Sequence, residues 1–266
     1  MLGKLLKYEF KSTARMFLPF FGALLVLAIL NKIFFFTFEN VGFLAIPRSL
    51  FMALYVFMII ATFIMTLVVT IQRFYKNLLS DEGYLMFTLP VKTSQQILSK
   101  GIVAYVWVLA CILSTFLSIF IMLPDYSWIR QIPEGLRLVS EQLYQYTGMR
   151  LSVLFVETIA LCLIGLAAFI LQVYTAISIG QLSNKHKVLA SFGAYVAIYA
   201  IIQIIMSIAM TVLGLTTFDS NFDHIDENVA QFVQLIIGIS LAIDIILSAG
   251  YFFLTKYILK NKLNLE

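Results

Sequence analysis

An all-α polytopic membrane protein is the fold class this sequence predicts, and three observations predict it. Hydrophobic residues make up 61% of the 266, and charged residues only 12%; a soluble domain carries about 45–50% and about 25%. Mean hydropathy is +0.96. The apolar residues gather into six segments near Leu18–Phe38, Leu50–Gln72, Gly101–Leu123, Leu151–Gly180, Val188–Leu215 and Val229–Leu254, each of about 20 residues or more, enough to cross about 30 Å of hydrocarbon. None alternates as a barrel strand does, and lipid cannot satisfy open backbone groups, so each segment is expected to be helical. The whole chain reads as one transmembrane domain, residues 1–266.

Ahead of the first span, Met1 to Phe17 reads as an amphipathic helix. Lys4, Lys7, Lys11 and Arg15 fall on one narrow face, and Leu2, Leu5, Leu6, Phe10 and Phe17 on the opposite one, at about 100° per residue. A basic stripe opposite an apolar one suits the interface of an anionic leaflet. Glu9 projects from the apolar face. It reads either as a carboxylate in need of a basic or hydroxyl partner at the inner end of the bundle, a polar clamp, or as a rim residue reaching water. Pro19 disfavours helical geometry at Leu18, so this elbow is expected to end there and the first span to begin. The apolar run is too long for a cleaved signal and no small-x-small site follows it.

Lys and Arg set the orientation. With the N-terminus inside, the cytoplasmic segments hold Lys4, Lys7, Lys11, Arg15, Arg73, Lys76, Lys92, Lys100, Lys185, Lys187, Lys256, Lys260 and Lys262, which is 13 of the 18 basic residues. Lys32, Arg48, Arg130, Arg137 and Arg150 fall at or near the outer side, together with eight of the 14 acidic residues. Both termini are therefore expected in the cytoplasm, with the spans in a cell membrane. Attraction to inner-leaflet lipid accounts for the net charge of +4 without a nucleic-acid partner.

Between the second and third spans lies RFYKNLLSDEGYLMFTLPVKTSQQILSK, Arg73 to Lys100. It is polar enough to leave the bilayer and too well patterned for a slack linker. Ser80 suits an N-cap, with Asp81 and Glu82 in the first turn. Tyr84, Leu85, Met86, Phe87 and Leu89 follow, Pro90 stops the short helix, and Thr93 to Gln96 reads as a capping box for the next helix. An aromatic patch held outside the membrane reads either as a docking element or as a loop packed under its own bundle.

The run Asp81-Glu82-Gly83-Tyr84-Leu85-Met86-Phe87-Thr88-Leu89-Pro90-Val91 resembles the EGYL-x-x-TLPV signature of ABC-2-type transporter permeases, the membrane subunits of bacterial ABC exporters. Leu6-Lys7-Tyr8-Glu9-Phe10-Lys11 is similar to that family's N-terminus. The resemblance implies a bacterial plasma membrane and a type V exporter-like arrangement, in which the segment over residues 73–98 is a cytoplasmic coupling helix seated in a cleft of a separate ATPase chain. It implies ATPase contact through Asp81, Glu82, Tyr84, Leu85, Met86 and Phe87, two ATPase copies carrying ATP and Mg, and a second permease subunit, identical or different. Family members export peptides, antibiotics, lipids and polysaccharides. Short loops here lean toward a hydrophobic or amphipathic peptide, antimicrobial or drug.

Polar groups inside the spans are the remaining candidates. Glu157 lies about two turns into the fourth span and Asp244 in the middle of the sixth. A charge at mid-bilayer costs about 2.5–3.5 kcal/mol on insertion scales, so such residues usually face a cavity or a partner. Each reads as a cargo contact or shifting clamp, or as a hydrogen-bonded structural group. Arg150 is the one basic neighbour of Glu157 on its own helix. Gln203 and Ser207 form an i, i+4 pair in the fifth span, of the kind that joins helices. Between Pro124 and Arg150 a helix with Leu136, Val139, Leu143 and Tyr146 on one face is expected on the outer interface. His224 among Asp219, Asp223 and Asp226 reads as a solvated acidic loop before a metal site, and Cys111 and Cys162 as small apolar groups.

Enzyme motifs are missing. The sequence has no HExxH, no GxSxG and no GxxxxGK[ST], so ATP hydrolysis would belong to a partner chain and no cofactor or metal is expected here. Two readings from other classes stand beside the exporter. One is an ion- or proton-coupled secondary carrier using Glu157 and Asp244. The other is a peptide sensor or immunity protein that binds without transporting.

Overall fold

The computed structural model describes residues 2–37, 45–79, 91–123, 126–183, 185–217 and 225–262. Among these there is no strand, and six helices are long and apolar enough to cross a membrane. We label the helices α1 (Leu2–Thr37), α2 (Ala45–Leu79), α3 (Thr93–Met122), α4 (Ile132–Thr147), α5 (Leu151–Gly180), α6 (Lys187–Thr217) and α7 (Ile225–Asn261). A short 3-10 turn, Ser127–Gln131, precedes α4. The chain divides into two compact units, Met1–Ser127 and Trp128–Asn264.

In the first unit α1 and α3 run in the same direction and α2 returns between them in sequence. Two apolar clusters join the three helices. Phe17, Phe21, Val69 and Cys111 are buried together, with Met65, Trp107 and Ala110 packed on them. Leu24, Ala28 and Tyr55 form the second, against Leu27, Met58, Ile59, Ile121 and Met122. Polar groups fix the register between the clusters. Tyr55 and Ser118 share a buried hydrogen bond of 2.9 Å, and the Asn31 amide donates to the carbonyls of Leu27 and Phe51 at 2.9 and 3.1 Å. Lipid supplies no hydrogen bonds, so such pairs specify which helix faces meet even though each is worth only about 0.6 kcal/mol.

In the second unit α5 packs along both α6 and α7. Gly180 ends α5 where α6 begins, and a Cβ there would overlap the backbone and hydroxyl of Ser191. Ser191 Oγ donates to the Lys187 carbonyl at 2.8 Å. Gly165 likewise meets α7. By contrast Gly193, Gly214, Gly238 and Gly250 meet nothing within 4 Å. Close helix approach, for which all six glycines are suited, is thus used at two of them within this chain.

Two local expectations are revised. The N-terminal amphipathic stretch does not end at Pro19; α1 is one helix of 36 residues with Pro19 inside it. A proline removes one intrahelical donor, and packing of Phe17, Phe21 and Leu24 on either side of it holds the helix together. The Thr93 capping box does not form. Lys92 takes the extended N-cap conformation without a side-chain bond, and its carbonyl accepts from Gln95 and Gln96 N–H at 2.8 and 3.3 Å. Thr93 is therefore already helical and lacks the backbone shape that a cap requires. Arg150, the basic neighbour of Glu157 in sequence, stands seven residues of helix away, about 10 Å, and no ion pair joins the two among the described residues.

Helix α4 does form, from Ile132 with Pro133 in its first turn to Gly148, which caps it at φ 67°. Leu136 and Val139 are exposed on it, and a helix with an uncovered apolar face suits an interface.

Gly180→Ala should destabilise the chain by about 1–3 kcal/mol, the usual cost of overpacking, whereas Gly193→Ala should be near neutral. Melting of the detergent-solubilised variants, followed by fluorescence size exclusion, compares the two.

Candidate functional site

Of the six residues expected to contact an ATPase, Asp81, Glu82, Tyr84, Leu85, Met86 and Phe87, all lie outside the described residues. Both flanks of that segment are described, and both are anchored. At the end of α2, Phe74 and Leu78 are fully buried, and Asn77 and Leu79 nearly so. At the start of α3, Gln96, Ile97, Ser99 and Lys100 are buried. Apolar burial on each side thus fixes where the segment over 80–92 leaves and re-enters the unit.

The polar core of this junction is an ion pair. Lys100 Nζ donates to Glu9 Oε1 at 2.6 Å, with the two side chains only 4% and 13% exposed. Glu9 therefore has a basic partner, and its location on the apolar face of α1 follows from packing against α3. One turn along, Thr13 Oγ1 donates to the Glu9 carbonyl at 2.7 Å and accepts from Trp107 Nε1 at 2.8 Å. The Trp107 ring stacks on Phe17 with centroids 4.7 Å apart and tilts against Phe10 and Phe21 at 6.1 Å each. A carboxylate, an ammonium, a hydroxyl and an indole N–H are thereby satisfied inside an aromatic sleeve. Such a network rigidifies because each member is paired and dehydrated. The roles of Lys100 and Trp107 escape a reading of the sequence alone. The available signal was spacing: Lys100, Trp107 and Cys111 lie at helical intervals of seven and four on the face that α1 covers.

A second polar array lies inside the second unit. Thr175 Oγ1 donates to the Leu171 carbonyl at 2.9 Å and meets Thr255 Oγ1 at 3.0 Å and the Tyr251 carbonyl at 3.2 Å. Farther along the same contact, a Cβ on Gly165 would stand 3.3 Å from Asp244 Oδ2. The bare glycine leaves room for that carboxylate against α5. Tyr251 Oη and Gln172 Nε2 are buried without a hydrogen-bond partner among the described residues. Asp244 thus faces α5 inside a spanning helix. Glu157 Oε2 is also buried without a partner among the described residues, and the structure does not bring Glu157 into the Asp244 array.

Gln203 sits apart from both. It is exposed on α6, as is Ser207, whose carbonyl accepts from Thr211 Oγ1 at 2.9 Å. The three residues, four apart, form a polar stripe on a helix otherwise studded with exposed Ile201, Ile204, Ile205 and Ile208. His224, Asp219 and Asp223 lie outside the described residues.

Comparison with protein-family models, with curated proteins and with solved structures finds no match to this chain. What the chain is known to be, then, is what its helices define: a multi-pass membrane protein.

Removing one member of a buried ion pair leaves a dehydrated charge and costs about 3–5 kcal/mol, while replacing both by apolar groups is often neutral. Glu9→Leu should therefore lower the melting temperature more than the double variant Glu9→Leu/Lys100→Met. A thermal-melt double-mutant cycle in detergent measures the difference.

Proposed function

We propose that the chain is the membrane-spanning permease subunit of an ATP-binding cassette exporter, carrying a hydrophobic or amphipathic cargo such as a peptide, antimicrobial or drug outward across the plasma membrane. The observation that supports this best is the anchored junction at Glu9–Lys100. A loop that transmits force needs roots held firmly in the bundle. The segment that leaves from Leu79 and returns at Val91 carries the family-like signature, and its roots are held by Phe74, Leu78, Ile97 and the buried ion pair.

In this reading Asp81, Glu82, Tyr84, Leu85, Met86 and Phe87 seat in a cleft of a separate ATPase chain, present in two copies, which holds ATP and Mg. Closure of the ATPase pair pushes on the segment, and the rigid junction passes the push to α1, α2 and α3 together. Six spans are few for a closed path, so two permease subunits pair, as copies or as relatives. The polar stripe of α6 suits that pairing. An exposed glutamine in a spanning helix is costly in lipid, and its amide is both donor and acceptor, so Gln203 can bond its own counterpart across a twofold axis. N-terminus and C-terminus lie in the cytoplasm on this reading, with the basic ends of α1, α2 and α7.

One observation favours a second reading. Asp244 faces Gly165 inside a unit that also buries Tyr251 Oη and Gln172 Nε2 without partners among the described residues, which suits a proton- or ion-coupled carrier. That reading requires transport in the absence of any ATPase and its loss in Asp244→Asn.

Tyr84→Ala/Phe87→Ala should reduce co-purification of the ATPase encoded beside this chain at least about tenfold, because buried aromatic anchors cost about 2 kcal/mol each, while leaving the melting temperature of the permease unchanged. Equal recovery of the ATPase with the variant, or no ATPase with wild type, overturns the docking role. For the pairing face, Gln203→Cys should cross-link between copies under mild oxidation and Ile201→Cys should not.

A further inference from the structure

Helix α4 and the first turns of α5 enclose a groove of about 530 Å³ in the second unit. Its lining mixes two chemistries. Leu136, Leu151 and Phe155 are apolar; Arg137, Arg150 and Ser140 are not. No carboxylate lines it among the described residues. Arg137 Nε is bonded to Glu141 Oε1 at 3.1 Å, an exposed pair on one side of the guanidinium that leaves its terminal nitrogens for another acceptor. Arg150 is exposed and forms no ion pair among the described residues.

The place of the groove decides what fits it. Arg150 stands immediately before a 30-residue helix long and apolar enough to span a bilayer. A residue at that point lies where lipid headgroups lie. Phe155, five residues into the spanning helix, is 65% exposed, and Leu136 on α4 is 53% exposed, so both offer uncovered apolar surface beside the arginines. Guanidinium groups hold phosphate oxygens in a two-pronged geometry. A ligand that fills the groove needs a phosphate at the water end and a hydrocarbon chain at the other.

We propose that this groove is a binding site for one anionic phospholipid, its phosphate held by Arg137 and Arg150 and an acyl chain laid along Leu136, Leu151 and Phe155. Net positive charge in the lining selects an anionic headgroup over a zwitterionic one. Such a site is independent of what the chain transports.

Native mass spectrometry of the full chain, released from detergent containing a titrated mixture of phosphatidylglycerol and phosphatidylcholine, tests it. Wild type should retain one phosphatidylglycerol in preference to phosphatidylcholine. Arg150→Gln and Arg137→Gln should each weaken that retention about fivefold, as expected for one basic residue at an anionic surface. Arg130→Gln, outside the groove, should not, and Phe155→Ser should weaken retention of both lipids alike. Melting curves and circular dichroism confirm that the variants are folded. Equal retention of the two lipids by wild type overturns the proposal, as does full retention by a folded Arg137→Gln/Arg150→Gln variant. So does displacement of the lipid by an equal concentration of glycerol phosphate, which would mark a site for the headgroup alone.

Discussion

Lipid offers no hydrogen bonds, and most of this structure is an answer to that. The backbone closes its own bonds by being helical. The side chains face the same demand, and the hydroxyls meet it by turning back onto their own helix. Thr62, Thr66, Thr115, Ser178 and Ser248 each donate to the carbonyl four residues before, at 2.6 to 2.9 Å. A polar group that cannot close locally must find a partner on another helix, and those few groups set the tertiary structure. Glu9 finds Lys100, Trp107 finds Thr13, and Tyr55 finds Ser118. Each pairing dictates a rotation and a register for two helices at once, which apolar surfaces of similar shape cannot do.

That division explains what could be read in advance. The six spans were legible because length and hydropathy are properties of one segment. Glu9 was legible as an oddity, since a carboxylate on an apolar face stands out on a helical wheel. Its partner was not, because Lys100 lies 91 residues away and looks like one more basic residue at the edge of a span. Asp244 stood out from the sequence as a charge inside a span, yet its meeting with Gly165 depends on how α5 and α7 slide along each other. Pro19 misled for a related reason. Proline's local cost is fixed, but aromatic packing on both sides of it is a tertiary fact. Gln203 was noticed as an amide inside a span, and only the packing showed that it faces away from its own unit.

Both units also bury polar atoms that have no hydrogen-bond partner among the described residues: Asn31 Oδ1 and Thr70 Oγ1 in the first, Glu157 Oε2, Gln172 Nε2 and Tyr251 Oη in the second. An unsatisfied donor or acceptor gains by moving toward any partner that comes near. The buried charge of the first unit is instead neutralised within the chain by the Glu9–Lys100 pair.

Helix α1 is tied to α3 and the residues just past it near both of its own ends. Glu9 and Lys100 meet near one, as a buried pair, and near the other Lys32 Nζ donates to Tyr126 Oη, just beyond α3, at 2.8 Å and 4.6 Å from the centre of its ring. Two ties so far apart oppose the sliding of one helix along the other, so the pair resists shear along its length.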